Sequence, residues 1–341
     1  MGECINLRRG GKAKVVPTLN ANYPANVTLE YKGSTTLKVE IATHGYPEEY
    51  TYQWYKGGTA ISGATSATYT ASSITATSTY YCKVTNKAGT VQSRTATITV
   101  KTSPTYTYSG THQFIDDGSG NWRIKLKSSG DLKFTDRGTA VNGIDVFLVG
   151  GGGGGYNNGW GGGGGGGGYT KTVKAVSVSK NTNYSVTIGG GGSVNGRGGT
   201  TTAFSNSAEG GHPPYKTGDL TEYKGGNGGS GGGGFYVDGG SDGSDGKSWT
   251  NGKYVGGKGQ GTTTKEFGTG DLYGGGGGGG SDSSTVGVTT YGGAGGGGNS
   301  GYKKNASKGT DNLGGGGGGA CSGSYSAAGG GSGIVVIRNK R

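Results

Sequence analysis

Runs of glycine constrain this sequence more than any other feature. The stretch DVFLVGGGGGGYNNGWGGGGGGGGYTKTVKAVSV, residues 145–178, holds six and then eight consecutive glycines between an apolar segment and an alternating one. Similar runs recur at 150–155, 161–168, 189–192, 231–234, 274–280, 295–298 and 314–319. Glycine loses more backbone freedom on folding than any other residue. Such runs therefore either stay disordered or are held by a dense set of contacts.

Composition alone favours disorder. Glycine supplies 86 of 341 residues, and Leu, Ile, Val and Phe together supply only about 14%, below the usual range for a packed domain. The apolar residues are not scattered, however. They collect in residues 27–100 and in strand-like segments that bracket the runs: IDVFLVG, VKAVSV, NYSVTIG and SGIVVIR. VKAVSV and NYSVTIG read as a hairpin turning through Ser179 to Asn183. Few charges fall inside the runs, unlike a solvated linker.

The alternative to disorder is polyglycine-II. Its three residues per turn and rise of about 3.1 Å leave every N–H and C=O pointing outward. Without side chains, neighbouring helices can approach closely enough to hydrogen-bond to one another. An eight-residue run would then span about 25 Å.

Residues 27–100 carry a different signature, with short strands and turn signals at the spacing of a β-sandwich. In STTLKVEIAT, Leu37, Val39 and Ile41 alternate with polar residues; TYQWYKGG supplies a central strand with Trp54 and a turn at Gly57-Gly58; SRTATITV closes the unit. The segment Tyr80-Tyr81-Cys82 completes a pattern that resembles bacterial and phage immunoglobulin-like domains. Val39 stands where such domains carry the first cysteine of their bridge, so Cys82 is expected as a buried free thiol near Trp54.

The formal charge of +12 is spread thinly, with no basic block longer than Arg8-Arg9 or Lys303-Lys304. That argues against nucleic acid and suits approach to an anionic surface. Residues 1–16 lack the apolar core of a secretion signal, and no apolar run is long enough to insert in a membrane. The cysteines Cys4, Cys82 and Cys321 fit neither a zinc site nor a disulfide framework. Synthesis in a reducing cytoplasm is expected.

The segments HQFIDDGSGNWRIKLKSSGDL, DVFLVGGGGGG, NYSVTIGGGG, GGTTTAFSNSAEGG, GKGQGTTTKEFG and GSGIVVIRNKR resemble the glycine-rich domain of phage tail and tail-fibre proteins, over residues 102–341. More distantly they are similar to phage tip adhesins whose glycine stretches form a polyglycine-II sandwich and whose loops carry receptor specificity. The resemblance implies a virion protein that binds the bacterial surface, a host glycan or another envelope receptor. It also implies attachment to other tail or capsid proteins through residues 1–16, and release by lysis. A structural virion protein, such as a head fibre or decoration, is the alternative; a bacterial surface adhesin comes third.

The expected fold is mainly β. It comprises an attachment arm (1–16), an Ig-like β-sandwich (17–101), a β-hairpin lead-in (102–143), and a glycine-rich domain of packed polyglycine-II helices framed by short strands (144–341). No enzyme activity, cofactor or metal is expected. GSDGSDGKS, residues 240–248, fails the phosphate-loop spacing at Ser241. Asp238, Asp242 and Asp245 fit no calcium-loop pattern and read as a solvated turn. His44, His112 and His212 are isolated, and Asp116-Asp117 sits by a turn. Receptor contacts are expected in the segments 208–224 and 235–254, which combine aromatic with charged side chains. The candidates are Tyr215, Tyr223, Tyr236, Trp249 and Tyr254, with Lys216, Lys224 and Lys253 aiding capture of an anionic glycan. An amphipathic ring on an exposed loop suits such recognition.

Overall fold

The alternation read from residues 27–100 becomes two facing sheets. The computed structural model describes residues 11–157, 159, 161–216, 223–235, 237–248, 255–280, 289–301, 304–320 and 324–339. It divides into two units, Met1–Thr102 and Ser103–Arg341. Among the described residues there is no α-helix.

In the first unit, Gly33–Lys38 pairs antiparallel with Thr68–Ile74. The larger sheet runs in the order Val27–Glu30, Ala96–Lys101, Ser78–Asn86, Thr51–Lys56, Thr59–Ala60, with Gly89–Gln92 added on Ser78–Asn86. Leu37, Trp54, Tyr80, Cys82, Val84 and Ile98 fill the space between the sheets. Trp54 lies opposite Cys82, and its indole donates to Ser66 O at 2.9 Å. Cys82 is a free thiol that burial pushes up to about 11, so it packs as an apolar group. The strand expected through Leu37, Val39 and Ile41 is broken. It ends at Lys38, and Ile41–Thr43 pairs instead with Thr18–Leu19. Val39 stays buried and donates its N–H to Ala67 O.

The second unit is built on two five-stranded sheets. One runs Thr105–Tyr108, Gly130–Asp136, Asn183–Thr187, Thr201–Ala203, Asn206–Ala208; the other runs His112–Gly118, Asn121–Leu126, Ile334–Asn339, Ile144–Val149, Thr170–Val176. Residues 105–136 thus supply four of these strands and share the core with the later ones. Trp122, Ile124, Leu126, Leu132, Phe134, Ile144, Val146, Leu148, Val335 and Ile337 are fully buried between the sheets. Ile144–Val149 shows no alternation because both its faces are covered. Phe147 and Val149 point away from that core and pack with Tyr273, Ile334 and Val336.

The hairpin expected through Ser179–Asn183 does not form. Thr170–Val176 pairs with Ile144–Val149, while Asn183–Thr187 pairs with Gly130–Asp136, in the opposite sheet. Val173 and Val176 reach the shared core from one sheet, and Tyr184 and Val186 reach it from the other. The turn carries the chain across the sandwich.

The glycine runs are neither strand nor α-helix, yet 150–155, 161–168, 231–234, 274–280 and 314–319 are buried throughout. Their N–H groups bond to carbonyls of distant segments, and over 150–156, 164–169 and 275–280 each donor returns to the same neighbour after three residues. Gly164 and Gly167 donate to Gly233 and Ser230; Gly165 and Gly168 to Gly317 and Gly314; Gly166 and Tyr169 to His212 and Glu209. The run 150–156 follows the same rule. It donates to 163–169 (from 150, 153 and 156), to 196–199 (from 151 and 154) and to 328–331 (from 152 and 155). It accepts from three further segments, through Gly192 and Asn195, Gly211, and Gly317. Carbonyls of one run thus stand where neighbouring glycines would carry a Cβ. A Cβ on Gly164, Gly166 or Gly167 would overlap Gly277 O, Asn227 O or Gly274 O.

These pairings fix the direction of each run. Residues 150–156 leave strand Ile144–Val149 and 163–169 return to strand Thr170–Val176, paired antiparallel all the way. Gly192 and Asn195 lie level with Gly152 and Gly155, and Gly196 and Gly199 come back level with Gly154 and Gly151. Gly226 and Gly229 lie level with Gly164 and Gly167, and Gly277 and Gly280 with Gly165 and Gly162. The runs therefore go out from the sandwich and return. Tyr156, Pro214, Lys224 and Gly280 stand at the outer end, and the segment 260–273 at the end facing the sheets.

Candidate functional site

The outer end of the glycine runs gathers the sequence-predicted residues that the structure describes. Tyr215–Lys216 pairs with Tyr223–Lys224 as a short antiparallel ladder, with Tyr215 opposite Lys224. Tyr215 is 42% exposed, and Lys216 is exposed beside it. The Lys224 ammonium lies 5.8 Å from the centroid of the Tyr215 ring, within cation–π range. Tyr223 differs. It is buried, and its ring packs on Tyr156, centroids 4.9 Å apart. A hydrogen bond with Tyr223, then burial, raises the Tyr156 phenol above its ordinary range. Tyr156 ends the first run, so this pair closes the end of the glycine packing and supports the ladder from below. The Asn157 side-chain amide donates to Tyr325 O and ties two outer connections together. Tyr236, Trp249, Lys253 and Tyr254 lie outside the described residues, as do residues 1–10 of the expected attachment arm.

The acidic motif has a structural use. Asp238 pairs with Lys247 at 3.0 Å and accepts Tyr291 N–H at 2.7 Å. Asp242 accepts from Thr263 Oγ1 and Thr264 N, and these bonds hold its carboxyl below the usual range. Asp245 accepts Gly259 N–H at 2.7 Å. The three carboxylates each tie down a different segment and do not converge. No cluster of three metal-ligating side chains occurs among the described residues.

The histidines are similarly dispersed. His44 faces Glu48, His112 packs edge-on against Tyr106 and Tyr108, and His212 packs edge-on against Tyr169. Burial, then Arg197, lowers His212. Asp116 accepts the N–H of Gly118 in the turn.

A buried charge network was not legible in the sequence. Glu266, 2% exposed, receives Arg123 Nη1 at 2.6 Å and the Tyr273 hydroxyl at 2.7 Å, with Lys125 Nζ at 3.4 Å. Arg123 also forks onto Asp117, and Lys125 reaches Asp271 at 3.1 Å. Burial first, then Glu266, raises the Tyr273 phenol. Arg338 lies over Phe267 at 4.1 Å and pairs with Asp145. Positive and negative groups are matched within hydrogen-bond reach, and the cavity beside them, about 250 Å³, is bounded by these paired side chains. The network fastens the segment 266–273 to the outer face of the sheet. Nothing in the local sequence links Arg123 to a carboxylate 143 residues later.

The family model of the glycine-rich domain matches residues 126–340, and that of the immunoglobulin domain matches residues 17–100. No curated protein matches the chain.

Proposed function

The chain belongs to the glycine-rich domain family, and we propose that it is a phage tail-fibre or tail-tip protein that binds the bacterial host surface. On this reading the runs are packed polyglycine-II helices. The three-residue return of their donors supports it, because that helix has three residues per turn and no internal hydrogen bonds.

One observation carries the functional reading. The runs have no side-chain chemistry, whereas their outer end presents Tyr215, Lys216 and Lys224 on a short ladder braced by Tyr223 and Tyr156. A stiff, chemically blank scaffold with aromatic and cationic side chains at one end suits recognition of an anionic envelope glycan. Tyr236, Trp249, Lys253 and Tyr254 belong to the same proposed contact set, with Tyr223 as a brace. The first unit then acts as a spacer, and residues 1–16 as the attachment arm. The burial of Tyr223 also suits the second reading, in which the rings only cap the glycine packing of a structural virion protein.

Antibodies against the purified chain test the proposal on phage particles, and the chain itself tests it on cells. The expected results are label at the tail, competition with phage adsorption, and about tenfold weaker cell binding for Tyr215→Ala/Lys224→Ala, the loss of one or two contacts. Label on the head with no cell binding would favour the structural reading. No label on any particle would refute the virion assignment.

A further inference from the structure

The outer face of the larger sheet in the first unit carries chemistry that its fold does not use. Trp54, Tyr80, Cys82 and Val84 point inward from Thr51–Lys56 and Ser78–Asn86. Alternation therefore turns Tyr55, Tyr81, Lys83 and Thr85 outward, with Gln92 beside Lys83 on the next strand, while the Gln53 amide is taken up by Trp54 O and Ile61 O. Tyr55 and Tyr81 are direct cross-strand partners, and their rings stack 4.8 Å apart at 7°. Lys83 Nζ lies 5.0 Å from the Tyr55 centroid and has no carboxylate partner among the described residues. The three strands TYQWYK, STYYCKVTN and GTVQ contain no Asp or Glu.

We propose that this face is a second binding surface, and that its ligand is an acidic polysaccharide. The charge decides the class: an unneutralised ammonium, with no carboxylate on the three strands, favours an anion. The neighbouring groups decide the polymer. Phenol hydroxyls, the Thr85 and Thr90 hydroxyls, 2.7 Å apart, and the Gln92 amide form a flat field of donors and acceptors suited to sugar hydroxyls. The ring edges offer apolar contact to sugar C–H groups. A nucleic acid fits less well, because the Tyr55 ring is already covered by Tyr81 and Lys83.

The test uses the full-length chain and three immobilised probes: polygalacturonate, neutral dextran and a single-stranded oligonucleotide. Wild-type protein should be retained on polygalacturonate only. Lys83→Gln and Tyr55→Thr/Tyr81→Thr should each weaken retention about tenfold, the scale of one charge-assisted contact. Lys174→Gln, at an exposed lysine of the second unit with no proposed contact, should leave it unchanged, which excludes a general loss of positive charge. If the double variant disturbs the sheet, Lys83→Gln and Tyr81→Phe, which keep the stack, still carry the test. Retention unaffected by the sheet-face variants, or equal retention on the oligonucleotide, would overturn the proposal.

Discussion

Replacing Gly165 by Ala adds one methyl group, yet it should damage the second unit severely. The new Cβ would overlap the Gly153 carbonyl oxygen and lie 2.5 Å from its carbon and 2.9 Å from Gly154 C. Carbon atoms pack at about 3.5–4.0 Å, so the runs 150–156 and 163–169 must part by roughly 1 Å. Three hydrogen bonds hold these runs together: Gly150 to Tyr169, Gly153 to Gly166 and Tyr156 to Gly163, at 3.0, 2.8 and 3.0 Å. Stretching them all by that amount forfeits about 1 kcal/mol each and leaves buried groups partly unpaired, so the cost is about 3–6 kcal/mol. For a unit of this size that lowers the unfolding temperature by about 6–24 °C. Gly190→Ala is the matched control. Nothing lies within 4 Å of its Cβ, and its φ is not positive. There alanine should be neutral or stabilise by up to about 1 kcal/mol through the unfolded chain. Calorimetry of the full chain, with the transition of the first unit as internal reference, reads both. Equal stability of the two variants would refute the close packing of the runs.

Hydrogen exchange followed by mass spectrometry should show strong protection of 161–168 and 274–280, with exchange at random-coil rates as the contrary result. Acid should weaken the anchoring of the segment 262–265 through Asp242. Its folded pKa is depressed by Thr263 and Thr264, so its contribution is present above the ordinary carboxylate pKa and fades as pH falls through the lower, folded value. Asp242→Asn should flatten the dependence of stability on pH below about 4, and an unchanged acid profile would exclude this carboxylate. Cys82 should resist a thiol reagent in native protein at pH 8, well below its value of about 11, and react on unfolding. Peptide mapping distinguishes it from Cys4 and Cys321, and fast native labelling would mean that its burial is wrong.

The sequence made the first unit legible because its strands alternate and each turn is local. Ala96, Ile98 and Val100 are buried in turn as read, and Gly57 and Gly58 take the positive φ of the turn. What escaped was the break after Lys38, since Ile41 continues the same alternation while pairing elsewhere. In the second unit the flanking strands were visible, but their partners were not. Val173 and Val186 read identically whether their strands pair together or face each other across a core. The buried network around Glu266 escaped for the same reason, because its members come from two distant segments, 117–125 and 266–273. At the outer end, exposure separated Tyr215 from Tyr223, eight residues apart with similar neighbours. Only the packing of Tyr223 on Tyr156 tells them apart.

Strand Ile334–Asn339 lies in the middle of its sheet, between Asn121–Leu126 and Ile144–Val149. Almost the whole glycine-rich stretch is translated between Val149 and its partner Ile334. During synthesis the sheet therefore waits with an open slot, and the emerging runs have no finished base to stack on. Long-range pairing of this kind is slow and leaves edges exposed meanwhile. It also acts as a proofreading step. A ribosome that stops or shifts frame anywhere in those glycine codons yields a product lacking its central strand, and the slot beside Val149 stays open.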